Sequence, residues 1–196
     1  MNEFIIKIGN FCIKRLAELI GLGLVAISIL LFISLLSYSP EDPNFIFPEK
    51  TIINNLIGPK GSYISDLFFQ SFGLISILIP VTYFFTGINI IISKTFLIII
   101  ENTFFIILYT FIGCLFFTAF HEKSFWLTIN GNNGFLGNLF EGNFLLGLVN
   151  SNEEIAYYFL IILISLVFLK SINFKIFFIF NSLKKISFIL VPPPYY

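Results

Sequence analysis

Few residues in this chain carry reactive side chains, and none is spaced for catalysis. The single histidine, His121, stands directly before Glu122 and Lys123 at the edge of an apolar stretch. A general base needs a proton donor within hydrogen-bond reach, and no nucleophile-and-base pattern surrounds this imidazole, which reads as a solvated flank. Cys12 lies on a charged flank and Cys114 deep in an apolar run, so the two imply neither a disulfide framework nor a metal site. The sequence contains no Gly-x-x-x-x-Gly-Lys-Ser/Thr, no Gly-x-Gly-x-x-Gly and no His-Glu-x-x-His. It therefore predicts no catalytic, cofactor-binding or metal-binding residue within the chain.

The elements that would have to position any such residue are apolar. Of 196 residues, 57% are hydrophobic and 11% charged, and mean hydropathy is +0.95. A soluble domain carries roughly 25% charged residues, so this surface cannot be solvated as a globule. Eleven basic residues balance eleven acidic ones, which excludes a strongly basic nucleic-acid module. High hydropathy likewise excludes intrinsic disorder. Phe and Ile dominate and ten of the eleven cations are Lys, a bias that fits an AT-rich genome. What remains is an integral membrane protein.

A helix needs about 20 apolar residues to cross ~30 Å of hydrocarbon. Stretches free of charge at 19–40, 67–93, 102–120 and 155–169 mark four candidates. The last reaches useful length only if Lys170 snorkels. Because backbone groups in lipid must be satisfied internally and these runs lack barrel-type alternation, they read as helices. The expected spans are about 17–39, 67–92, 98–120 and 155–174. The first is too long for a signal peptide's apolar core and lacks a small-x-small site, so it reads as an uncleaved anchor.

Orientation follows the Lys/Arg distribution. With the N-terminus inside, Lys7, Lys14, Arg15, Lys94, Lys170, Lys175, Lys184 and Lys185 are internal, against Lys50, Lys60 and Lys123 outside. Both termini are expected in the cytoplasm. Most acids then face outward, and Tyr38, Tyr63, Trp126, Tyr157 and Tyr158 fall at outer helix ends.

In the first outer loop Pro40-Glu41-Asp42-Pro43 stops the first helix, since each proline fixes φ and restricts the residue before it. Gly58-Pro59-Lys60-Gly61 turns the chain, with Pro59 suited to a first helical position. Ser62 and Asp66 are expected near the helix start, where acceptors and negative charge suit the N-terminal dipole; Asp66 either caps the helix or ties this loop to the 134–149 segment or to a neighbouring subunit. The 134–149 stretch is too short to cross and too apolar to float in water, so it reads as a short interfacial or re-entrant helix before the fourth span. Its Gly134 and Gly137 permit close packing. Within the spans, Gln70, Ser71 and Asn89 serve as interhelical glue, and Pro80 and Gly87 mark a possible break in the second. Residues 176–191 read as a basic amphipathic segment on the inner leaflet, suited to anionic lipid. Residues 192–196 read as the start of a Pro-rich linker, a reading preferred to the WW-ligand match of Pro-Pro-Pro-Tyr.

Several of these segments resemble the N-terminal four-transmembrane-helix membrane domain of the FtsK/SpoIIIE family of DNA translocases. Arg15-x-x-Glu18-x-x-Gly21 is similar to that family's entry into the first span. Leu36-Ser-Tyr38-Ser-Pro40-Glu-Asp42-Pro43 resembles its exit. Asn55-Leu-Ile-Gly58-Pro59-Lys-Gly61, continuing through Asp66 to Gly73, resembles the opening of its second span, with Ser62 and Ser65 where Ala is usual. Gly134-x-x-Gly137 resembles its segment before the fourth span, with Asn133-Gly134 where a Gly-Gly pair is more frequent. The resemblance covers about residues 10–175.

The resemblance implies an all-α inner-membrane anchor and assembly module of a septal DNA translocase acting in cell division and chromosome segregation. It implies a homo-hexamer, divisome membrane proteins as partners, and DNA contact only through a motor domain beyond a linker. ATP and Mg would belong to that motor, whose phosphate loop these residues lack. The competing reading is a small polytopic transporter or channel subunit. The lack of ionisable groups within the charge-free runs weighs against it, because intramembrane charge marks ion pathways.

Overall fold

The computed structural model describes residues 2–45, 53–124, 126–127 and 129–173. The expected inner-leaflet segment 176–191 and the linker at 192–196 lie outside them. Every regular element among the described residues is helical: α1 (Asn2–Leu36), α2 (Pro59–Phe72), a 3-10 segment (Gly73–Ile77), α3 (Leu78–Ser93), α4 (Ile98–Phe120), α5 (Gly134–Asn138), α6 (Phe144–Ser151) and α7 (Glu153–Ser171). Among the described residues, four stretches are long and apolar enough to cross a membrane: Ile6–Leu36, Pro59–Ser93, Ile98–Phe120 and Glu153–Ser171.

Helix ends differ from the expected spans for local reasons. α1 begins well before residue 17, because nothing between Asn2 and Ala17 breaks a helix. It stops at Leu36, four residues ahead of Pro40, where Ser37 Oγ turns back to donate to Ile33 O at 2.8 Å. The second crossing starts at Pro59 rather than 67 and is not one helix. It is interrupted at Gly73–Ile77, upstream of Pro80 and Gly87. Pro80 is harmless as the third residue of α3, since its missing N–H would have pointed into the 3-10 segment.

Gly87 serves packing instead. A Cβ on Gly87 would lie 2.7 Å from Gly21 O, and one on Gly21 would lie 2.8 Å from Gly87 O, so α1 and α3 cross backbone against backbone. One turn away the crossing is clasped by charge. Lys94, in the left-handed region at φ 59°, places Nζ 2.5 Å from Glu18 Oε1, while Arg15 Nη1 holds Glu18 Oε2 at 2.6 Å. The spacing Arg15-x-x-Glu18-x-x-Gly21 thus sets the ion pair and the crossing on one helix face.

α4 lies between α3 and α7. The main core joins Ile75, Ile79, Ile106, Tyr109, Leu115, Phe116 and Leu160, with Phe140 and Val149 entering from the connection between α4 and α7. A second cluster of Leu35, Tyr38, Phe69 and Leu127 sits where α1 and α2 meet, beneath Trp126. Among the described residues, the bundle therefore has a loop end, holding residues 37–45, 53–58, 121–124, 126–127 and 129–152, and a turn end, holding residues 94–97.

Candidate functional site

At the loop end the polar chemistry of the described residues forms two joints. The first is built around Asp42, which is 2% exposed. Its two carboxylate oxygens accept the backbone N–H groups of Asn54 and Asn55, each at 2.8 Å. Asn55 then acts as a hub. Its Nδ2 donates to Ser34 O at 2.8 Å and lies 3.4 Å from Ser65 Oγ, and its Oδ1 accepts Ile57 N–H at 3.1 Å. Ser62 Oγ donates to Pro43 O at 2.5 Å, and Ser34 Oγ donates to Gly61 O at 2.7 Å. A Cβ on Gly61 would collide with the Asn55 side chain and lie 2.6 Å from Ile57 Cβ, so only glycine admits the hub. Gly58, at φ 77°, turns the chain into Pro59, the first residue of α2.

Ser62 stands near the start of α2, as its fourth residue, and ties the helix to Pro43. The capping expectation for Asp66 is corrected. Asp66 is the eighth residue of α2, two turns past its start, beyond the reach of the terminal dipole. It accepts from Tyr38 Oη at 3.3 Å and from Gln70 Nε2 at 3.4 Å. Burial, and then the neighbouring Asp66 carboxylate, push the Tyr38 phenol above its ordinary range, so Tyr38 stays a donor. Gln70 passes the link onward, since Asn130 Nδ2 donates to Gln70 O at 3.2 Å and to Gln70 Oε1 at 3.1 Å. Asp66 is thus connected through one residue to the second connection.

The second joint is where that connection meets the helix break. Gly73, at φ 66° and ψ −153°, adopts a conformation open essentially to glycine alone. A Cβ there would run into Asn132 O, and one on Gly134 (φ 65°) would strike the backbone at Gly73 N and lie 2.7 Å from Phe72 C. The close approach lets Leu74 N–H donate to Asn132 O at 2.9 Å. Carbonyls freed by the break are taken up locally, Gly73 O by Ser76 Oγ at 2.7 Å and Phe72 O by Cys114 Sγ at 3.3 Å. Gly137 packs α5 on α4, where Thr118 Oγ1 lies 3.1 Å from Gly137 O and accepts Asn133 Nδ2 at 3.2 Å.

The structure thus brings Tyr38, Asp42, Pro43, Gly58, Pro59, Gly61, Asp66, Gly73, Gly134 and Gly137 together at the loop end. Arg15, Glu18 and Gly21 lie apart, at the turn end. Pro40 belongs to the same loop as Asp42. Sequence reasoning missed Asn55, Asn132, Asn133 and Thr118 as joint residues, and Lys94 and Gly87 as the partners of Glu18 and Gly21. In a chain this apolar, each asparagine between two spans was a signal. None of these groups is arranged for catalysis, and among the described residues no cluster of three or more His, Cys, Asp or Glu side chains could hold a metal. What the site does is fix helices to each other.

The family model described as the 4TM region of DNA translocase FtsK/SpoIIIE matches residues 13–182. The DNA translocase FtsK of Rickettsia prowazekii (strain Madrid E) is 39% identical over 71 residues, covering 36% of this chain and 9% of that protein. The DNA translocase FtsK of Rickettsia bellii (strain RML369-C) is 39% identical over 77 residues, 39% of this chain and 10% of that protein. The aligned stretches therefore span about a tenth of each relative. No solved structure matches the chain.

Proposed function

The chain belongs to the FtsK/SpoIIIE family as its four-transmembrane region, and from that premise we propose that it is the inner-membrane anchor and assembly module of a septal DNA translocase. The observation that carries the reading is the extent of the family match, which takes in both joints and all four crossing stretches from residue 13 onward. Translocation of DNA, with the ATP it consumes and the Mg that accompanies the nucleotide, belongs to the family's motor domain and not to these 196 residues.

Both termini and the turn at 94–97 face the cytoplasm, and both joints face the periplasm. α5 and α6 lie in the outer interface, seated by the exposed side chains of Phe135, Leu139, Phe144 and Leu148. The module assembles as a homo-hexamer and meets divisome membrane proteins, and its lysine-bearing tail meets anionic lipid. The buried polar side chains of the bundle support an anchor over a transporter. Thr82, Thr86, Asn102 and Tyr109 are each wholly buried and bonded to one another rather than set along an opening.

A fluorescent fusion of the 196-residue chain, expressed in dividing bacteria, is expected to gather at the division site. Even distribution around the envelope, with normal membrane insertion, would remove the septal part of the reading.

A further inference from the structure

The last turn of α7 is held to its neighbours residue by residue. Lys170 Nζ lies 3.9 Å from Glu101 Oε1 and 5.9 Å from the centroid of the Phe105 ring. Ser171 Oγ donates to Phe168 O at 2.7 Å, which leaves it as the acceptor for Thr82 Oγ1 at 3.0 Å. With its hydrogen so used, Thr82 accepts from Tyr109 Oη at 3.2 Å. Thr86 donates to Thr82 O at 2.7 Å and accepts Asn102 Nδ2 at 2.7 Å. Asn102 Oδ1 in turn faces Asn173 Nδ2 at 3.4 Å. Each of these hydroxyl hydrogens therefore has one direction, and the set joins α3, α4 and α7. Asn173 itself stands at φ 53° and its N–H donates to Lys170 O at 3.0 Å. This left-handed residue ends the helix and turns the chain.

The rest of α7 is held differently. Ile155, Tyr158, Phe159, Ile162 and Leu166 form an exposed stripe, and α7 packs chiefly on α4. In a bilayer, apolar faces give little drive to associate because lipid tails are equally apolar, so polar links count for more. We propose that residues 170–173 form a clamp that fixes where and in which direction the chain leaves the bundle. Pull on the segment after Asn173 is thereby passed to α3 and α4 instead of peeling α7 away. The clamp is a property of this chain whatever the chain anchors, so its failure would leave the anchoring role untouched.

Amide hydrogen exchange on the full chain in lipid nanodiscs tests it. Thr82→Val and Ser171→Ala should each speed exchange of amides 168–173 by roughly tenfold, while amides 157–160 stay within about twofold. Ser165→Ala is the control, because among the described residues Ser165 Oγ bonds only to Ile161 O of its own helix, at 2.8 Å, and it should change neither set. Unchanged exchange at 168–173 in Thr82→Val, or equal acceleration along the whole of α7, would overturn the clamp.

Discussion

Gly134→Ala is expected to detach the second connection from the bundle and lower stability by about 2–5 kcal/mol, as the added methyl brings both left-handed strain and a backbone collision. The methyl would meet Gly73 N and Phe72 C, which belong to backbone and cannot rotate aside. Gly142→Ala separates the two contributions. Gly142 has a similar φ of 70° but nothing within 4 Å of its would-be Cβ, so only the conformational cost of about 1 kcal/mol applies. Denaturation midpoints in detergent, followed by circular dichroism, should rank wild type above Gly142→Ala, and Gly142→Ala well above Gly134→Ala. Equal losses in the two variants would mean that the contact between Gly73 and Gly134 contributes nothing.

Asp42→Ala should be the most damaging change in the first joint, at about 3 kcal/mol. It removes two charge-assisted bonds worth roughly 1.5–3 kcal/mol each, less the desolvation the carboxylate no longer suffers. Asp42→Asn keeps one acceptor oxygen and should lose about half as much. Glu41→Ala, an exposed neighbour, should stay within about 0.5 kcal/mol. The joint holds the start of α2 through Asn55 and Ser62, so tryptic cleavage after Lys60 should quicken in the order Glu41→Ala, Asp42→Asn, Asp42→Ala. Cleavage of Asp42→Ala at the wild-type rate would show that Asn54 and Asn55 do not depend on the carboxylate.

The helices were legible because a bilayer reduces the problem to apolar length. The third stretch, 98–120, coincides with α4. Helix interruptions were less legible, because they answer to tertiary contacts rather than to local breakers. Proline and glycine inside the second apolar run pointed to Pro80 and Gly87. The break lies at Gly73 because Asn132 and Gly134, some 60 residues on, press against it, and no local pattern announces that approach. Asp66 was only half legible, for a related reason, since a cap and a tie to the second connection were both open. With the helix start placed at 67 it looked like a cap, and once α2 starts at Pro59 it becomes an internal acceptor for Tyr38 and Gln70. The motif residues were easier to find than to interpret. Pro40-Glu41-Asp42-Pro43 reads as a stop signal, whereas Asp42 acts by gathering N–H groups from twelve and thirteen residues away. Asn55 stood inside a recognised stretch, but its hub role depends on Ser34 from the first helix, which sequence spacing cannot place beside it.

The central claim is a module of four crossings, with both joints outside and both ends inside. Reporter fusions placed after Asn54, Asn132, Ser93 and Tyr196 test it most directly. Periplasm-active enzyme is expected after Asn54 and Asn132, and cytoplasm-active reporter after Ser93 and Tyr196. Periplasmic activity after Tyr196 would require an odd number of crossings and would contradict the account.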